Sequence, residues 1–113
     1  MSSGEESPGD SQHLNELIET LSIQLSEPVM KSTARLMIII SLALNRKLTF
    51  TDLLTITSLG KGSLSNHLDK LREGGLIKIK TVFSPIGPRV MVEITEEGMS
   101  AYENYSKILK KLL

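Results

Sequence analysis

The sequence contains no cysteine. That excludes disulfides and thiolate metal sites, and it fits a reducing compartment. Histidine is scarce too, with only His13 and His67. A metal site needs more convergent ligands than these, so neither a metal nor a cofactor is expected. Long apolar runs are missing. The longest, Leu36–Ile40, falls far short of the roughly 20 residues of a spanning helix. The N-terminus is acidic and polar rather than basic and then apolar, unlike a secretory leader. These absences point to the cytoplasm and to no membrane partner.

Net charge is also missing: 13 basic residues balance 13 acidic ones. A zero balance argues at first against nucleic acid, but the distribution does not. Residues 1–28 carry six acids and no Lys or Arg. Residues 45–91 carry eight bases against Asp52, Asp69 and Glu73. The centre of the chain is therefore basic, and a charged partner responds to local fields rather than to the total.

The 113 residues suffice for one domain with one core. Residues 1–11, "MSSGEESPGDS", read as a disordered acidic tail, and 12–113 as a single domain. Leu14, Leu17, Ile18, Leu21 and Leu25 recur at helical spacing, which predicts a helix over about 12–26 that ends at Pro28. A second helix spans 29–45. Its centre, "RLMIIISLAL", is apolar on nearly every face and is expected to be buried all round. Leu48-Thr49-Phe50 reads as a short extended piece, and Thr51 as the cap of a short helix over 52–57. A turn at 58–60 leads into a helix over 61–73, stopped by Gly74-Gly75. Residues 76–83 and 89–94 alternate as strands around the turn "SPIGP". Thr95 caps a last helix carrying Glu96 and Glu97 in its first turn. The fold class is mainly α with a small β-hairpin, order α-α-β-α-α-β-β-α. Two helices joined by a short turn and followed by a basic hairpin make a winged helix-turn-helix.

The segments "LTFTDLL", "TSLGKGSLSNHLDKLREGGLIKIK" and "GPRVMVEITEEG" carry a resemblance. Together they resemble the MarR/ArsR-like winged-helix DNA-binding transcriptional regulators, and most of all the small stand-alone proteins of archaea and bacteria. The match runs from about Arg35 to Tyr105. It implies a homodimer that binds DNA, with helix 61–73 in the major groove and the hairpin as a wing. The chain departs from the pattern in places. Relatives usually carry Gly where Ser58 stands and Ser where Gly60 stands. Their wing tips tend to carry Arg and Lys, whereas "SPIGP" is uncharged. The metal-sensing cysteines of some ArsR relatives have no counterpart.

The residues support the same reading independently. Leu64, Leu68 and Leu71 follow i, i+4, i+7 and must face the core. The opposite side shows Lys61, Gly62, Ser63, Ser65, Asn66, Asp69 and Lys70. Asn pairs bidentately with adenine, Ser with several base edges, and Lys with guanine or phosphate. A polar face alone is merely solvated; the turn before it and the basic hairpin after it favour a face for double-stranded DNA. Asp69 would pair with Arg72 or Lys70, or point away. Lys78, Lys80 and Arg89 are candidate phosphate contacts, and Thr51 a further donor. His67, at the edge of the leucine stripe, reads as a packing or hydrogen-bonding residue.

Leu14, Leu17, Ile18, Leu21 and Leu25, with Tyr102, Tyr105, Leu109 and Leu112, form stripes on the first and last helices. They either fold back on the chain's own core or pair across a two-fold axis; a dimer through these helices is expected. Two other functions remain open: a winged helix that docks a protein, and a regulator with a small-molecule effector pocket at the dimer interface. An enzyme is not expected. The first glycine of a P-loop would fall at position 55, which is Thr55, and Gly62 rather than Ser or Thr follows Lys61.

Overall fold

The computed structural model describes residues 8–26 and 32–113. Of the expected tail over 1–11, residues 8–11 belong to a helix and residues 1–7 lie outside the described residues, as do the break at Pro28, the start of the second helix at 29–31 and the side chain of Leu25.

Helix α1 (Pro8–Ser26) starts four residues earlier than the expected 12. Proline suits a first helical position because its missing N–H has no intrahelical partner there. Helix α2 (Thr33–Asn45) is capped by the Ser32 hydroxyl, which accepts from the Ala34 N–H at 3.2 Å. Strand β1 (Lys47–Thr49) runs straight into helix α3 (Phe50–Thr57). The cap of α3 is Thr49, not Thr51 as the sequence suggested. Thr49 and Asp52 form a reciprocal capping box with both bonds at 3.0 Å. Both threonines are good caps; β1 decides between them, because its pairing holds Thr49 opposite Met91 with extended backbone.

Ser58 closes α3 in the left-handed conformation, φ 57°. This is the position where glycine was expected from the resemblance, so the backbone geometry is kept while the residue best suited to it is not. Helix α4 (Lys61–Glu73) follows after two residues. It ends in a Schellman motif: the Leu76 N–H reaches the Leu71 carbonyl at 3.0 Å, and that of Gly75 reaches Arg72 at 2.9 Å. Gly75, at φ 78°, supplies the left-handed residue the sequence called for.

Strands β2 (Ile77–Ser84) and β3 (Gly87–Ile94) form the hairpin, and the antiparallel sheet has the order β1-β3-β2. Helix α5 (Glu96–Leu112) begins under the Thr95 cap. The core lies between α2, α3, α4 and the sheet. It contains Ile38, Ile39, Leu42, Leu53, Leu64, Leu68, Leu71, Leu76, Ile77 and Val92.

Helix α2 is not buried all round. Met37 is 45% exposed and Leu44 71% exposed. Seven residues apart, they share a helix side turned away from the core. The first and last helices pack against each other within the chain. Among the described residues neither supplies a large side chain to the buried core; Tyr102 and Ala101 only flank it. The molecule is accordingly long, 66 × 24 × 22 Å, with a radius of gyration of 17.7 Å. A compact domain of this length would have about 13 Å.

Candidate nucleic-acid interface

Helix α4 sorts its residues cleanly. Leu64, Leu68 and Leu71 are buried, while Lys61, Gly62, Ser63, Ser65, Asn66, Asp69 and Lys70 are exposed. At 3.6 residues per turn, Asn66 lies nearly opposite the leucines with Gly62 one turn before it. A Cβ added at Gly62 or Gly60 would meet nothing within 4 Å. Glycine at 62 is therefore not required by packing. What it contributes is a bare backbone on the outward face, where a flat partner can come close. Gly60 is the N-cap and makes no side-chain bond to the first turn, so those N–H groups keep their capacity for an anion.

The charges on this face are largely settled along the helix. Asp69 accepts from Arg72 at 3.0 Å, which resolves its expected pairing. Lys70 lies 4.0 Å from Glu73, with both side chains more than half exposed, so this contact holds it weakly. His67 accepts at Nδ1 a hydrogen bond from Arg35 Nε at 3.3 Å. That contact ties α4 to α2 and fits the structural role expected for the histidine.

The hairpin places Lys78 and Lys80 on its outer face, while Ile77 and Ile79 face the core. Lys80 is not free: its Nζ lies 2.7 Å from Glu93 Oε2. The pairing holds the Glu93 carboxyl below the ordinary glutamate range, through the Lys80 hydrogen bond first and then the charges of Lys80, Lys47 and Lys78. Lys80 thus offers less net charge to a phosphate than Lys78, which lies opposite Glu93 in the strand register but forms no ion pair among the described residues. Arg89 is exposed on β3.

Thr51, released from capping, sits exposed in the first turn of α3. With Arg89 it lines a cleft of about 290 Å³ between α3 and the wing. Ser65 borders a second cleft, of about 320 Å³, with Asp69, Arg72, Phe50, Ile79 and Val90. The clefts thus bring Thr51 to Arg89 and Ser65 to the hairpin, while Lys78 and Lys80 stand on the opposite sheet face. Sequence reasoning missed the capping box, although Thr49-x-x-Asp52 spells one. It also missed the exposed wing-tip residues Phe83 and Ile86.

Leu14, Leu17 and Leu21 of α1 are half-buried, as are Tyr102, Tyr105, Leu109 and Leu112 of α5, and Ile18 is exposed. The two stripes face one another in one chain without being fully covered.

No helix among the described residues is long and apolar enough to cross a membrane, and none of these residues form a cluster suited to a metal. Residues 34–113 match the family model of the winged helix DNA-binding domain. No curated protein matches the chain. Among solved structures it is similar to a transcriptional regulator homologue from Pyrococcus horikoshii OT3, with 31% identity over 83% of this chain and 93% of that one, TM-score 0.74. It is also similar to NadR in complex with 4-hydroxyphenylacetate, with 25% identity over 98% of this chain and 78% of that one, TM-score 0.68. A mutant MarR from E. coli complexed with operator DNA shares the fold, with 18% identity over 88% of this chain and 72% of that one, TM-score 0.60. The basic centre, the exposed face of α4 and the hairpin behind it are the parts of a known architecture: the chain belongs to the winged helix DNA-binding family and is a MarR-like transcriptional regulator.

Proposed function

We propose that the chain works as a homodimer that recognises a pseudo-palindromic DNA duplex. Helix α4 enters the major groove, and Asn66, Ser63, Ser65 and Lys61 read base edges. Lys70, Lys78, Arg89 and Thr51 hold the backbone, with Lys80 a weaker contact. The carrying observation is the outward face of α4, where every candidate base-reading side chain is exposed around the bare backbone of Gly62.

Dimerisation is supported by the elongated shape and by the apolar surface left on α1 and α2, at Ile18, Ile23, Met37 and Leu44. Leu14, Leu17, Leu21 and Leu25 with Tyr102, Tyr105, Leu109 and Leu112 are its proposed centre. A two-fold axis there would set two copies of α4 about 34 Å apart, one turn of B-DNA. The protein acts by binding, not by catalysis, and it works in the cytoplasm, where it meets DNA. An effector-responsive variant of this reading has one support: the similar NadR was solved with 4-hydroxyphenylacetate. A thermal-shift screen of small aromatic acids tests it.

Mobility-shift titrations on a duplex selected from a random pool test the main reading. With Lys70, Lys78 and Arg89 of two protomers on phosphate, log K should fall with log salt at a slope of roughly −5. Asn66→Ala should cut the preference for the selected duplex over a scrambled one about 10-fold or more, leaving affinity for the scrambled duplex nearly unchanged. No shift at low salt would point to a protein-docking winged helix instead.

A further inference from the structure

The tip of the wing is apolar and open to water. Phe83 is 80% exposed and Ile86 79% exposed, and Val82 and Val90 below them are also exposed. From Gly74 to Val92 the chain contains no acid, and from Thr81 to Pro88 it carries no charge at all. Such a tip offers phosphate no cation. If it meets DNA, only base faces and sugars offer it favourable contact.

Its placement favours DNA as the occupant. Phe83 lies opposite Pro88 in the register and shares its sheet face with Ile77 and Ile79. That is the face on which the hairpin packs against α4, since Ile79 and Val90 line a cleft with Ser65 and Leu68. Four residues beyond Ile79, Phe83 overhangs the recognition helix by about 13 Å on this side. The neighbouring minor groove lies about half a B-DNA turn, roughly 17 Å, from the major groove that α4 would occupy. Lys78 and Arg89 lie on the other sheet face, Lys78 near the start of the hairpin and Arg89 opposite Val82, one step from the tip.

The tip is also stiff. Pro85 and Pro88 bracket Ile86, Gly87 turns the chain at φ 119°, and the Ser84 hydroxyl donates to the Gly87 carbonyl at 2.9 Å. A rigid apolar point loses little conformational entropy when it inserts. Phe, Ile and Pro are among the side chains that minor-groove binders use as wedges between base steps.

We propose that the wing tip is an apolar wedge: Phe83 and Ile86 enter the minor groove beside the segment read by α4 and partly unstack one base step in each half-site. The proposal rests on the DNA-binding reading above. It adds local deformation of the duplex to recognition, so flanking steps that unstack easily would be preferred although no side chain hydrogen-bonds to them.

The test uses the full chain and the duplex selected from a random pool. A single 2-aminopurine is placed at successive flank positions. With wild type, its fluorescence should rise several-fold at one position per half-site, and a permuted-site gel should report a bend of about 20° or more. The double variant Phe83→Ser, Ile86→Ser changes only exposed positions. It should still shift the duplex but lose both the rise and the bend. A shift with no fluorescence rise at any flank position refutes the wedge and leaves DNA binding standing. A rise that survives the double substitution refutes it too. If the substitutions change the sedimentation of the free protein and not the fluorescence, the tip binds a second copy instead. Absence of any shift on any duplex overturns both readings.

Discussion

Replacing Gly98 with Ala sets two physical effects against each other. Gly98 lies in the first turn of α5, and by helix propensity alone alanine should stabilise it by about 1 kcal/mol. The packing predicts the reverse. A Cβ at this position would fall inside the contact distance of the Leu76 carbonyl oxygen and only 2.6 Å from Ile94 Cγ1. Carbon atoms pack at about 3.5–4.0 Å, so α5 must back away by about 1 Å. Two hydrogen bonds hold it where it is: Thr95 N–H to the Leu76 carbonyl at 3.0 Å, and Gly98 N–H to Thr95 Oγ1 at 3.1 Å. Overpacking costs about 1–3 kcal/mol and each weakened bond about 1 kcal/mol, so the net loss after the propensity gain is about 2–4 kcal/mol. Urea unfolding followed by far-ultraviolet circular dichroism measures it. With a slope near 2 kcal/mol/M the midpoint should fall by about 1–2 M. An unchanged or raised midpoint would show that α5 does not sit this closely on the start of β2.

Ser58→Gly should act in the opposite direction. Relief of a left-handed serine, less the greater freedom of unfolded glycine, gives about 0.5–1 kcal/mol of added stability and a melting temperature a few degrees higher; a lower melting temperature contradicts the assigned backbone. In salt titrations, Lys78→Ala should reduce the binding slope by about 0.9 per protomer, and Lys80→Ala by less because Glu93 already compensates it. Equal reductions would mean that the ion pair opens on DNA. The carboxyl of Glu93 is held below its ordinary range, so its contribution to stability is complete above the unfolded value and is lost as pH falls through the lowered folded value. Glu93→Gln should flatten the acid limb of the stability curve in that window; an unchanged limb would assign the acid sensitivity elsewhere.

Much of this architecture can be read from periodicity. Leu64, Leu68 and Leu71 announce both the buried side of α4 and, by exclusion, its exposed side. The ends of α4 are equally clear, because Gly60 and Gly74-Gly75 leave little choice. The cap of α3 was misassigned because two threonines stand two residues apart, and only the pairing of Thr49 with Met91 across the sheet separates them. The apolar run of α2 looked buried throughout because hydropathy reports what a side chain prefers, not whether the chain has enough mass to cover it. Met37 and Leu44 are left exposed by the described residues. Lys80 was grouped with Lys78 by alternation, while its partner Glu93 comes from a strand whose register is a tertiary fact.

The joint around Thr95 has a mechanical meaning. The Thr95 hydroxyl donates to the Gly75 carbonyl at 2.6 Å and accepts from Gly98, while its N–H holds Leu76. The last residues of the recognition helix, the first of the wing and the first turn of α5 are thereby fastened at one point. Helix α5 extends 17 residues from that point, roughly 26 Å. It is a lever with its fulcrum under the proposed DNA-reading surface, and a tilt of about 5° moves its far end by roughly 2 Å. In a dimer held at that far end, any repacking between subunits turns the fulcrum and changes the distance between the two reading heads. In the proposed dimer, half-site spacing would thus be set at the opposite end of the molecule from the proposed DNA face.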